Sequence, residues 1–124
     1  MQLDLSIPYP PASGNHQYGK GRHGGMFLKP KVKTYRLAVK ALVLELPGDM
    51  RAMLPLTGDM EVHVDLLPPD KRVRDSGNAI KVIYDALTRA GVWKDDSQAK
   101  LEHLASLGPL KGGLVRISIK PIEF

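Results

Sequence analysis

The chain has 124 residues and a formal net charge of +5 at pH 7, with 43% apolar and 25% charged side chains; these are the proportions of one globular domain with a single core, not of a disordered chain. It contains no cysteine, which excludes disulfides and thiolate metal sites and fits a reducing compartment. No apolar run approaches the roughly 18–20 residues of a membrane span, and the start lacks a basic-then-apolar leader, so a cytoplasmic protein with no membrane partner is expected.

Residues 2–8 alternate, with Leu3, Leu5 and Ile7 on one side of Asp4 and Ser6, which predicts a half-buried strand. Pro8, Pro10 and Pro11 end it, because proline offers no ladder donor. Residues 12–30 are glycine-rich and without period, and predict a long loop. A loop of that length is functional or mobile. This one carries Asn15, Tyr18, Lys20, Arg22 and Lys29, which suit a grip on nucleic-acid backbone with Tyr18 stacking on a sugar or base; the same composition serves a plain linker. Residues 31–46 predict a helix burying Val32, Tyr35, Val39, Leu42, Val43 and Leu46, with Lys33, Arg36 and Lys40 opposite. From Leu5 to Leu44 there is no acid, while Lys20, Arg22, Lys29, Lys31, Lys33, Arg36 and Lys40 fall there. Such a one-signed stretch is a footprint for a polyanion, most often nucleic acid, with a solvated basic face as the plain alternative. An anionic membrane surface is disfavoured by the lack of an aromatic-rich amphipathic helix. With only 6% aromatic residues, the chain also lacks the stacking platform of a single-strand or RNA binder.

Met50, Met53 and Leu54 are expected to cap the core, with a dimer contact as the alternative, and residues 59–67 predict a strand with Met60, Val62, Val64 and Leu66 inward. Pro68-Pro69 closes it. Asp70 reads as a turn former, and Lys71, Arg72 and Arg74 as phosphate contacts that position DNA without reading its sequence. Asp75 or Ser76 falls at a helix N-cap, and a helix from about Asn78 to Ala90 buries Ile80, Ile83, Leu87 and Ala90 before an αL cap at Gly91. Trp93 is expected in the core. Residues 98–107 and 114–122 predict two strands around a Lys111-Gly112-Gly113 turn. The order strand, helix, strand, helix, strand, strand argues a single α+β domain with a small mixed sheet and two main helices. Carboxylates at both ends of a short helix, with cations beside them, suit a magnesium site facing a phosphate, or a merely solvated helix. His16, His23, His63 and His103 show no ligand spacing, and no zinc site is expected.

The order Pro-Asp-x-Arg-x-Arg-Asp-x-x-Asn from Pro69 to Asn78, then Lys81, then Tyr-Asp-Ala-Leu-Thr-x-Ala-Gly-x-Trp-x-Asp-Asp from Tyr84 to Asp96, resembles the RusA family of Holliday-junction resolvases. Pro10-Pro11-x-Ser13-x-Asn15-x-x-Tyr18 and Lys111-Gly112-Gly113 extend the resemblance over most of the chain. It implies a small two-fold homodimeric, Mg²⁺-dependent endonuclease, bacterial or phage-encoded, that cuts four-way DNA junctions. Carried over by position, Asp75 and Asp96 are the catalytic carboxylates and Mg²⁺ ligands, with Asp95 as a neighbour able to assist, and Lys81 is the catalytic lysine. DNA contacts are expected from Asn15, Tyr18, Lys20, Arg22, Lys29, Lys31, Lys33, Lys71, Arg72, Arg74 and Asn78. One departure stands out. The family motif reads Arg-Asp-x-Asp-Asn, whereas this chain has Arg74-Asp75-Ser76-Gly77-Asn78. Glycine can neither bind a metal nor act as a base, so impaired cleavage is expected, the alternative being a non-catalytic module for branched DNA.

Overall fold

The computed structural model describes residues 1–11 and 17–123. In chain order the elements are β1 (Leu3–Ile7), β2 (Tyr18–Lys20), β3 (Met26–Leu28), α1 (Pro30–Leu44), α2 (Gly48–Arg51), β4 (Met60–Leu67), α3 (Ser76–Arg89), β5 (Ala99–Ser106) and β6 (Leu114–Pro121), with a 3-10 turn at Asp96–Gln98 ahead of β5. The alternating apolar residues seen in the sequence become one face of a four-stranded sheet of order β1-β6-β4-β5. β4 and β5 run parallel, joined through α3, while β6 is antiparallel to both β4 and β1. The expected α+β domain with a mixed sheet and two main helices is what forms.

Leu3, Leu5 and Ile7, Val62, Val64 and Leu66, and Val115, Ile117 and Ile119 bury against the apolar faces of α1 and α3. Each such side chain contributes about 1.5–3 kcal/mol when withdrawn from water. α1 starts with Pro30 at its first position, where no N–H is missed. It buries Val32, Tyr35, Val39 and Val43, leaving Lys33 and Lys40 exposed. The Tyr35 hydroxyl donates to the Pro8 carbonyl at 2.7 Å, tying α1 to the end of β1, and burial raises its pKa. α3 begins two residues earlier than expected, with Asp75 as its N-cap. Gly91 follows it with φ +81°, the left-handed C-terminal stop. Met50 and Leu54 pack on the core, but Met53 is exposed.

The stretch from 17 to 30 differs from a long loop: it contains the hairpin of β2 and β3, paired Tyr18↔Leu28, Gly19↔Phe27 and Lys20↔Met26. Phe27 lies over Gly19 so closely that a Cβ there would run into the ring. Strands of three residues with a glycine at the centre offer no alternation to detect. Gln17, almost wholly buried, fastens the hairpin base. Its carbonyl accepts from the Lys29 N–H at 2.9 Å, its amide nitrogen donates to Asp85 at 3.1 Å, and its amide oxygen accepts from Arg36 at 3.4 Å. Arg36 therefore turns inward instead of joining the basic ridge.

Candidate active site and nucleic-acid interface

The segment between β4 and α3 is a clasp built by Asp70. Its carboxylate accepts the Arg72 N–H at 3.0 Å and pairs with Arg74 at 2.8 Å and Arg72 at 3.6 Å. The Arg74 side-chain bond, then the Arg72 backbone, push its pKa down to about 2. Arg74 also donates to the Asp70 and Arg72 carbonyls and lies 5.7 Å over the Tyr9 ring. Asp70 is thus the turn former the sequence implies, and Arg74 is spent largely on the clasp. Lys71 and Arg72 remain exposed on the outside of the loop.

Asp75 sits at the start of α3. Its Oδ1 accepts the N–H groups of Gly77 at 3.0 Å and Asn78 at 3.3 Å, and Oδ2 accepts the Asn78 side-chain amide at 2.9 Å. Asn78 aims its amide at this carboxylate and so helps hold the start of the helix. Ser76 and Ser106 share a hydroxyl hydrogen bond of 2.8 Å, which joins the helix start to the end of β5. Along α3 the polar positions Gly77, Lys81, Asp85 and Arg89 follow one another at four-residue spacing, so they stand on one side of the helix. Lys81 is exposed there.

Beyond α3, Trp93 is buried as expected, donating to the Thr88 hydroxyl at 2.8 Å and packing edge-on to Tyr84 at 5.2 Å. Gln98 then fixes the acidic turn with four side-chain hydrogen bonds. Its oxygen accepts from Lys94 N–H at 3.0 Å and Asp95 N–H at 3.2 Å, and its nitrogen donates to the carbonyls of Leu56 at 2.9 Å and Gly58 at 3.0 Å. Asp95 caps the 3-10 turn and accepts from Ser97 at 2.9 Å, which holds its carboxyl below the ordinary range. Asp96 is different. Partial burial, then the charges of Asp95, Asp85 and Glu102, raise its pKa. Glu102 is itself held by the Tyr84 hydroxyl at 2.7 Å. A carboxylate crowded by carboxylates favours a nearby divalent cation, although among the described residues the acids around Asp96 do not gather three ligand atoms within 4.8 Å of one another.

Asp75 lies apart from that group. Ten helical residues separate it from Asp85, about 15 Å along the axis, and Asp85 is the helix residue whose charge reaches Asp96. An ion with metal–oxygen distances of about 2.0–2.1 Å does not span such a gap within one chain.

The family model for Endodeoxyribonuclease RusA matches residues 8–120. The chain belongs to this family. The crossover junction endodeoxyribonucleases RusA of Shigella sonnei strain Ss046, Escherichia coli strain K12 and Enterobacteria phage 82 are each 30% identical to it over 115 residues, 93% of this chain and 91% of theirs. The match takes in every RusA-like motif that the sequence shows.

On this RusA chain the basic residues expected at DNA fall on three segments, the hairpin, the start of α1 and the clasp. Tyr18 and Lys20 share one face of the β2–β3 hairpin and Arg22 lies in its turn. Lys29 precedes α1, and Lys31 and Lys33 are exposed on its first turn. Lys71 and Arg72 lie on the clasp. Asn15 falls outside the described residues. A groove of about 450 Å³, lined by Tyr18, Arg36, Asp85, Thr88 and Arg89, connects the hairpin to the α3 side that carries Lys81. Sequence reasoning missed Asp85, Glu102, Gln98 and Gln17. The four-residue spacing from Lys81 could have flagged Asp85; the other three are brought in only by tertiary contacts.

Proposed function

We propose that the chain is a structure-selective endodeoxyribonuclease acting on four-way DNA junctions, Mg²⁺-dependent and weakened by Gly77. Membership of the RusA family over residues 8–120 carries this reading, and the acids around Asp96, with a groove lined by Arg36, Arg89 and Asp85, support it. Mg²⁺ held by these carboxylates would polarise the scissile phosphate and lower the pKa of the attacking water. Asp96 and Asp75 supply the anionic oxygens that hold the cation. Lys81 stabilises charge developing on the phosphate. Tyr18, Lys20, Arg22, Lys31, Lys33, Lys71 and Arg72 set the backbone in place without reading bases. Asp75 and Asp96 reach one phosphodiester from two copies of the chain, as a two-fold homodimer permits. The exposed α1 stripe of Leu37 and Leu44, 67% and 58% accessible, supports such a pairing surface. The setting is proposed as cytoplasmic, from the bacterial and phage relatives; among the described residues no helix is long and apolar enough to cross a membrane.

Gly77 favours a second reading, a module that holds branched DNA without cutting it. Incubating the chain and its Gly77→Asp form with a labelled synthetic four-way junction, in magnesium or chelator, separates the two. Paired nicks from the parent in magnesium establish the enzyme, and nicks from Gly77→Asp alone establish a binder with a disabled site. No preference for the junction over linear duplex in either form refutes both.

A further inference from the structure

The sheet face turned away from α1 and α3 carries a second set of ligand atoms, separate from the acids around Asp96. β4 and β5 pair in parallel with His63 opposite His103. Glu61, two residues before His63, projects from the same face. The two imidazoles stack, with ring centroids 4.1 Å apart and planes 13° from parallel. Both present Nε2 to one carboxylate: His63 Nε2 lies 3.4 Å from Glu61 Oε2, and His103 Nε2 lies 3.6 Å from Glu61 Oε1. Among the described residues this is the group of three whose donor atoms all fall within 4.8 Å of one another. A tetrahedral ion with bonds of about 2.0–2.1 Å keeps its ligand atoms roughly 3.3–3.4 Å apart; each imidazole already stands about that far from one of the two Glu61 oxygens, so rotating the carboxylate and tilting the stacked rings apart would close the set around one ion.

We propose that Glu61, His63 and His103 bind a transition-metal ion of the zinc class, with water as the fourth ligand. Two imidazole nitrogens and one carboxylate oxygen favour such an ion over Mg²⁺, which prefers an all-oxygen shell. The histidine side chains are half exposed, which leaves the fourth position open to solvent. Lys120 is the built-in competitor. Its ammonium lies 3.2 Å from Glu61 Oε2, satisfies that charge when no ion is bound, and must swing outward when one is. The ion would clip the edge strand β5 to β4. That strand carries Glu102 on its opposite face, against Tyr84, so the clip steadies the strand that flanks the acids without joining their chemistry. The histidine spacing hides the site because parallel register, not proximity in sequence, brings residues 63 and 103 together.

Calorimetric titration of the chain with Zn²⁺, in buffer containing Mg²⁺, tests this. One ion binds per chain. His63→Ala and His103→Ala each weaken binding about tenfold or more, Lys120→Ala tightens it, and Asp75→Asn with Asp96→Asn leaves it unchanged. Because the ion displaces protons from its ligands, binding weakens on acidification. On the unsubstituted chain, Zn²⁺ shifts the Nε2 resonances of His63 and His103 in nitrogen-detected imidazole spectra and leaves those of His23 in place. The proposal is overturned by the absence of saturable binding up to about 100 µM Zn²⁺, by binding that survives His103→Ala, or by shifts confined to other residues.

Discussion

Gly77→Asp adds a carboxylate at the second position of α3, where a Cβ would stand 3.4 Å from Asp75 Oδ1. Three terms decide what this does without metal. Replacing glycine inside the helix contributes about 0.3 kcal/mol. A negative charge in the first turn of a helix adds about 0.3–1 kcal/mol. Against them stands repulsion from Asp75: two charges about 5 Å apart cost about 1 kcal/mol at the dielectric of bulk water and about 3 kcal/mol at the effective dielectric of a protein surface. Asp75 is open to bulk water, so the lower figure applies and the terms nearly cancel. The melting temperature in chelator should therefore move by no more than about 4 °C. Magnesium breaks the balance. At ten times its dissociation constant the ion stabilises the variant by about 1.4 kcal/mol, a rise of about 5 °C for a chain of this size. The parent, lacking the second acid, should rise by clearly less. Thermal denaturation of both forms in chelator and in graded MgCl₂ reads this directly. Equal magnesium shifts would show that position 77 is not where the ligand is missing, and would refute the assignment of Asp75 to the metal.

Asp75→Ala removes an N-cap with three hydrogen bonds and should lower stability by about 0.5–2 kcal/mol in denaturant titration, with Asp75→Asn retaining part of it. Asp96 has a folded pKa above its ordinary value, so the folded state binds its proton more readily; stability falls as pH rises from the ordinary carboxylate range to the raised value. Asp96→Asn should flatten that slope and raise the melting temperature in chelator at neutral pH. Asp70, held down at about 2, contributes in the opposite sense: its share is present above the ordinary carboxylate range and is lost as pH falls from about 4 to about 2. Carbon-detected titration of its carboxyl should show this, and Asp70→Asn should weaken junction binding by loosening the Arg74 clasp. If one phosphodiester draws Asp75 and Asp96 from two chains, mixing Asp75→Asn and Asp96→Asn chains in the Gly77→Asp background restores nicking that neither has alone; no restoration places both acids in one chain.

The strands and the two main helices were legible because their burial is periodic. Val62, Val64 and Leu66 alternate, and Ile80, Ile83 and Leu87 recur at helical spacing, so local pattern and tertiary burial report the same face. The hairpin was not legible, since its one tight contact, Phe27 on Gly19, replaces an apolar side chain by the absence of one. Asp70 and Asp75 could be placed from turn and cap chemistry, which acts over three or four residues. Arg36 could not. Helical spacing put it on the basic ridge, and only the buried amide of Gln17 explains why it turns inward. Gln98 joins residues 94 and 95 to 56 and 58, contacts that no local rule anticipates.

The length of α3 gives the candidate site its character. A helix that places one acid at its start and the others near its end acts as a spacer of about 15 Å between Asp75 and Asp85. Lys81 lies between them, one turn from Gly77 and one from Asp85, so its ammonium can reach toward either end. Within one chain the two acidic ends cannot share an ion, yet each is built with care: three hydrogen bonds orient the Asp75 carboxylate, and Gln98 pins the turn bearing Asp96. On the proposed reading the two ends would act together when a second copy brings its own opposite end into register; a two-fold pair would do so twice, giving two equivalent sites for symmetric cleavage of a four-way junction.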